Sequence, residues 1–155
     1  MTKNIAFFLL PKQEVVYVTE DATLRQTLER MEYHRYSSVP ILNEDGLYVG
    51  TVTEGDLLWF LKSRADLSFE RTNRVKLSEV PRRATNRPVR IDANMEDLIS
   101  LAKVQNFVPV VDDMNRFIGI VRRSDIIDYC ERLILSGEAA NGVPDRTGIA
   151  ARSEE

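Results

Sequence analysis

Thr53 and Asp56 stand three residues apart shortly after Gly50, and the same spacing returns as Arg122, Arg123 and Asp125 after Gly119. A carboxylate in the first turn of a helix can accept hydrogen bonds from both hydroxyls of a ribose. A threonine hydroxyl at the helix start can meet a ribose oxygen or a phosphate, and the helix's free amides and positive dipole end favour an anion at the same place. Plain helix capping accounts for this pair equally well. In the second copy Arg122 replaces the hydroxyl residue, with Arg123 beside it and Asp125 in place. A guanidinium there offers a fork for phosphate, worth ~1.5–3 kcal/mol when shielded from water. The alternative is a solvated arginine pair bonded to Glu54 or Asp125.

Other chemistry finds little support. His34 is the single histidine, so neither a Ser-His-Asp relay nor a multi-histidine metal site can be assembled; it sits where a helix C-terminus explains it. Cys130 is the single cysteine, which excludes an internal disulfide and suits a reducing cytoplasm. It falls on a helix face that reads as packed, not as a nucleophile's surroundings. No catalytic set and no metal site are expected. Trp59 and Phe60 read as core or dimer-face packing. Arg82, Arg83 and Arg87 read either as an anion-facing rim or as a solvated linker.

These residues recur because the chain carries one unit twice. Val39-Pro40-Ile41-Leu42 precedes Gly50, and Val108-Pro109-Val110-Val111 precedes Gly119, with ten residues from Pro to Gly in both copies and six from Gly to Asp. Upstream, Asp21 answers Asp92 at an offset of 71 rather than 69, so the second copy has lost two residues in its first helix or the turn after it. Each unit reads as strand, helix, strand, strand, helix. In the first, Val16–Val18 is a brief strand, Leu24, Leu28 and Met31 follow at helical spacing, and residues 38–42 and 48–52 form a hairpin about Asn43-Glu44-Asp45-Gly46. A helix runs over 55–61. Residues 4–10 are expected as a short helix ended by Pro11, and Pro40 as an edge or strand-start residue, because proline gives no ladder donor. In the second unit the elements fall at 89–91, 95–104, 109–111, 116–121 and 124–135.

The expected fold is therefore mixed α/β (α+β): two tandem β-α-β-β-α repeats packed sheet to sheet with pseudo-twofold symmetry. One such unit alone leaves a sheet face uncovered. The boundaries are 1–62 for the first repeat with its lead-in, 63–76 for a charged linker, 77–135 for the second repeat and 136–155 for a flexible tail. At 155 residues and 43% apolar composition the chain can bury such a core. A net charge of −3 argues against a general nucleic-acid binder. No apolar run approaches the ~20 residues that span a bilayer, and no leader or membrane partner is expected.

A Val-Pro start to the second strand, with Gly-x-x-Thr/Ser-x-x-Asp closing the third, resembles the CBS domain; a tandem pair resembles a Bateman module of the stand-alone bacterial type. The resemblance covers residues 5 to 135. It implies a cytoplasmic regulatory protein that binds an adenine nucleotide (AMP, ADP, ATP or cyclic di-AMP) in the cleft between repeats, needs no obligatory cofactor, forms a homodimer and signals to a regulated protein. It places the backbone around Ser38, Val39 and Pro40 on the adenine edge, with Val16 and Pro40 walling the base. Thr53 and Asp56 meet the ribose, Thr85 makes a polar contact, and Arg122, Arg123 and Asp125 form the modified second motif. S-adenosylmethionine is the less attractive ligand, since its sulfonium gains nothing from arginines. The alternative is a constitutive dimerisation or scaffold module with vestigial sites.

Overall fold

The computed structural model describes residues 4–83 and 86–141. Local chemistry fixes the helix starts. α1 (Leu24–His34) opens on a reciprocal capping box, Thr23 Oγ1 accepting from Gln26 N and Gln26 Oε1 from Thr23 N. α2 (Glu54–Ser63) repeats the device with Thr53 and Asp56, and α3 (Met95–Ala102) is capped by Asn94. α4 spans Arg123–Asn141, so the start of the expected tail is helical, and residues beyond 141 lie outside the described residues. The two hairpins also turn alike. Asn43 Oδ1 accepts from Asp45 N and Leu47 N, and Asp112 Oδ1, at the matching position, accepts from Met114 N and Arg116 N.

The strands form two sheets. In the first repeat β2 (Val18–Thr19), β3 (Ser38–Leu42) and β4 (Tyr48–Thr53) lie in the order β2-β3-β4. In the second, β5 (Val89–Arg90), β6 (Phe107–Val111) and β7 (Phe117–Arg122) are joined by β1 (Leu10–Pro11) from the chain's start, in the order β1-β7-β6-β5. The expected helix over 4–10 is instead a short 3-10 turn, Ile5–Phe8, followed by β1, because Leu10 and Pro11 find partners in Ile120 and Gly119.

Pro40 corrects a second expectation: it stands mid-strand in the central strand of its sheet, as does Pro109. The two-residue β2 and β5 make this tolerable. Glu20 N bonds to Leu42 O, so residues 40 and 42 turn their polar groups toward β2. The next rung of that parallel ladder would run from residue 40 N–H to Val16 C=O, and proline supplies no such donor. The ladder stops there by sequence.

Each lead-in packs on the other repeat. Ile5 and Phe8 enter the second repeat's core with Leu98, Val108 and Val121, and Phe8 meets Tyr129 edge-on at 5.0 Å. Val75, Leu77 and Val80 enter the first repeat's core with Leu24, Val39 and Val52. The segment expected as a linker is thus structured, with a 3-10 turn over Phe69–Arg74 and a fully buried Thr72. Between the sheets, Val15, Leu42, Phe107, Phe117 and Ile120 form a third cluster that joins the repeats, with Tyr48 stacked on Phe117 at 6.4 Å.

Burial of Tyr48 pushes its hydroxyl pKa up, partly offset by its bond with Thr51 and by Arg82 nearby. A phenol held protonated in the fold contributes stability that is complete below the unfolded value of about 10 and is lost as pH rises toward the folded one. Urea unfolding from about pH 8 to about pH 11 should therefore show stability falling in the wild type and falling less in Tyr48→Phe. Equal slopes would contradict this assignment.

Candidate functional site

The pseudo-twofold relates two positions between the repeats, a first and a second cleft, and the two are unequal. The first is a cavity of about 470 Å³, within the range of small-molecule sites. Val15 and Val16 line it from the first lead-in, Tyr36, Ser38 and Pro40 from the first repeat, and Asn106, Phe107, Ile120, Arg122 and Arg123 from the second. Five sequence candidates, Val16, Ser38, Pro40, Arg122 and Arg123, therefore meet at one place. Val39 does not: it is buried in the first repeat's core.

The cavity has an apolar floor, a cationic end and open backbone groups. Val16 N–H and C=O have no hydrogen-bond partner among the described residues, and the carbonyl is the one that Pro40 leaves without a rung. Val39 turns its backbone groups to β4, whereas Ser38 and Pro40 turn theirs to the side of Val16, where the Val16 N–H and C=O form the free edge. Arg123 Nε donates to Gln105 O at 2.8 Å, which fixes the guanidinium and leaves its terminal nitrogens without an acceptor among the described residues. Arg122 Nε donates to Asp125 Oδ2 at 2.9 Å, with Arg122 54% exposed at the side chain. Of the two sequence readings for Arg122, the ion pair with Asp125 is the arrangement present. Asp125 is thereby covered by its own neighbour, and a phosphate entering the cavity can compete for the same fork. The N-terminus of α4 at Arg123 adds a positive dipole end to this side.

Thr53 and Asp56 belong to the other cleft and are not brought to the cavity. Asp56 is only 3% exposed. Its Oδ2 accepts from Thr53 N at 3.0 Å and its Oδ1 from Arg83 N at 3.1 Å. Thr53 Oγ1 accepts from Asp56 N at 3.1 Å. Capping thus occupies both side chains, and the connection between repeats supplies the last donor. Arg82 lies against Gly50, where an added Cβ would come 2.7 Å from its Nε, and donates to Val49 O. The room at Gly50 serves this arginine. Thr85 lies outside the described residues.

The remaining candidates read as packing. Phe60 is buried, Trp59 is half exposed with Lys62 over its ring at 5.5 Å, and Cys130 packs at the edge of the second core. His34 stacks on Tyr36 at 5.6 Å. Among the described residues no cluster of His, Cys, Asp or Glu could hold a metal, and no helix is long and apolar enough to cross a membrane. Tyr36 and Asn106 are cavity residues that the motifs did not single out. The signal was present in the repeat offset, because Tyr36 corresponds to Gln105 in the second copy.

This architecture has close counterparts. CbpB in complex with c-di-AMP superposes with a TM-score of 0.75 at 20% identity, over 90% of this chain and 91% of that one. CBSX2 in complex with AMP gives 0.66 at 21% identity, over 84% and 97%. At such identities the likeness is one of fold. An uncharacterized protein of Methanocaldococcus jannaschii is 28% identical over 151 residues, covering 77% of this chain and 87% of its own length. The CBS domain profile matches residues 5–63 and again 78–132, the two units that the repeat, the paired sheets and the swapped lead-ins delimit, and the chain belongs to the CBS domain family.

Proposed function

We propose that this protein is a regulatory module that binds an adenine nucleotide, AMP, ADP, ATP or cyclic di-AMP, in the cavity lined by Val16, Ser38, Pro40, Arg122 and Arg123. The observation that carries the reading is the unpaired backbone edge of Val16 facing the same cavity as two arginines. An adenine edge offers an acceptor beside an amino donor, which complements a free N–H beside a free C=O. Val16 and Pro40 wall the base, and the phosphates take Arg122 and Arg123. The structural neighbours' ligands, c-di-AMP and AMP, are of this class.

The output passes by contact. Two apolar grooves flank the cavity on the helical side, one between α1 and α2 lined by Leu28, Leu58 and Phe69, the other between α3 and α4 lined by Ile99, Ile126 and Ile134. Tyr36 lines both the cavity and the first groove, while Arg123 and Ile127 line both the cavity and the second. These faces suit a homodimer and a regulated protein in the cytoplasm, and a ligand shifts their arrangement by its difference in affinity for the two shapes.

Thermal unfolding against AMP, ADP, ATP, S-adenosylmethionine and cyclic di-AMP tests the reading. Ligand at 100 times its Kd adds ~2.7 kcal/mol to the fold, which raises the midpoint by about 5–10 °C in a chain of this size. Arg122→Ala and Arg123→Ala should each weaken binding by about tenfold or more. A flat response to the whole panel at millimolar ligand, in nucleotide-free protein, would instead favour a scaffold whose motifs only cap helices.

A further inference from the structure

We propose that the Gln105 side chain is an internal stand-in for an adenine edge, which closes the second cleft and limits the chain to one adenine nucleotide. The inference rests on the reading of the open cleft given above.

The repeat offsets set the comparison. Val16 corresponds to Arg87 at the offset of 71 that holds before the first helix, and Tyr36 corresponds to Gln105 at the offset of 69 that holds after it. In the first repeat, Pro40 ends the parallel ladder and leaves the Val16 edge open to the cavity. In the second, Pro109 ends the ladder in the same way, since Ile91 N bonds to Val111 O and the next donor position is the proline. The Arg87 edge, however, is not open. Gln105 Oε1 accepts from Arg87 N at 2.8 Å, and Gln105 Nε2 donates to Arg87 O at 3.1 Å.

A carboxamide presents an acceptor and a donor side by side, as adenine presents its ring nitrogen and amino group. Both bonds are made to the N–H and C=O of one residue, the pair that Val16 leaves free. The amide's orientation is fixed by chemistry, because an N–H can meet only the oxygen and the two carbonyls can meet only the nitrogen. Gln105 is 3% exposed, and Nε2 also donates to Phe107 O at 3.2 Å. A buried amide with every bond made inside the protein yields its place only to a ligand that makes the same bonds. At the far end of this cleft the Asp56 carboxylate is satisfied likewise by Thr53 N and Arg83 N. Base end and ribose end are thus both filled by the chain itself.

Tyr36, at the matching position, cannot do this. It carries one hydroxyl in place of a paired donor and acceptor, is 47% exposed, and stacks on His34 at the cavity's rim. One substitution between repeats therefore separates an open base site from a closed one.

Isothermal titration of the full-length protein with AMP decides the matter. The wild type should bind one AMP per chain. Gln105→Ala, which removes the amide, and Gln105→Tyr, which copies the first repeat, should each move the stoichiometry toward two, with the added site the weaker. The second variant retains bulk at the position and serves if the first fails to fold, as judged by its thermal transition. Two AMP per wild-type chain, or a folded Gln105 variant that binds AMP with no gain in stoichiometry over a binding wild type, would overturn the proposal. Binding by the variants alone would sustain it and refute the open-cleft reading. Binding by none of the three would overturn both.

Discussion

Asp56→Ala is expected to lower the unfolding midpoint of the nucleotide-free protein by about 10 °C. Asp56 is buried, and its carboxylate accepts from two backbone amides that have no other acceptor, Thr53 N in its own capping box and Arg83 N from the connection. Hydrogen bonds to a charged group contribute about 1.5–3 kcal/mol each, and truncation also leaves both donors unsatisfied. A loss of about 3–4 kcal/mol follows from these terms taken at the low end. Asp56→Asn keeps one acceptor oxygen and should recover roughly half of it. The comparison separates two roles for one residue. A carboxylate kept only for a ligand would cost the empty protein about 1 kcal/mol or less on removal. A midpoint within about 2 °C of the wild type would contradict a structural role for the bonds from Thr53 N and Arg83 N.

Gly119→Ala is expected to be the second severe substitution, and Gly50→Ala, its counterpart, a mild one. Both glycines have positive φ, +157° and +159°, where a side chain is strained. At Gly119 an added Cβ would fall 2.2 Å from Leu10 O and 2.8 Å from Leu9 Cδ1, so β1 could not keep its place on β7. Backbone cannot retreat there without withdrawing Ile5 and Phe8 from the second core. The cost is about 2–4 kcal/mol. At Gly50 the added Cβ meets the end of the Arg82 side chain, which can swing away for about 1–2 kcal/mol of residual strain. Denaturant unfolding of both variants measures the difference, and limited proteolysis should cut Gly119→Ala first between residues 5 and 12. Equal losses from both glycines would show that the β1 contact does not hold the lead-in.

What the sequence makes legible follows from how local the causes are. Caps such as Thr23 with Gln26, and turns such as Asn43 to Gly46, act within four residues and can be read directly from residue type and spacing. The repeat adds the hairpins, the two sheets and their pseudo-twofold pairing, because one unit cannot bury its own sheet face. Pro40 was misplaced at an edge because the pattern shows only a missing donor. It does not show that β2 is two residues long and ends before the donor is needed. The site is harder for a topological reason. Val16 and Asp56 belong to the same repeat in the sequence, so the motif places them around one ligand. Val16 leads into β2 at one edge of the first sheet, however, and Asp56 follows β4 at the other, so Val16 stands beside Arg122 and Arg123 of the second repeat while Asp56 stands beside Arg83. The packing of the repeats that sets these neighbours depends on contacts between residues more than 100 positions apart, such as Leu10 with Ile120, which no local pattern encodes. Gln105 was missed for a related reason: its neighbours carry the motif, and its own role lies in what it grips across the cleft.

A crystal structure of the protein with AMP bound would test the open cavity and the closed second cleft together. The adenine edge is expected on the Val16 backbone between Val16 and Pro40, the phosphate at Arg122 and Arg123, and Gln105 still bonded to Arg87. AMP held by Asp56 with Gln105 displaced, or an empty cavity at millimolar AMP, would contradict this arrangement.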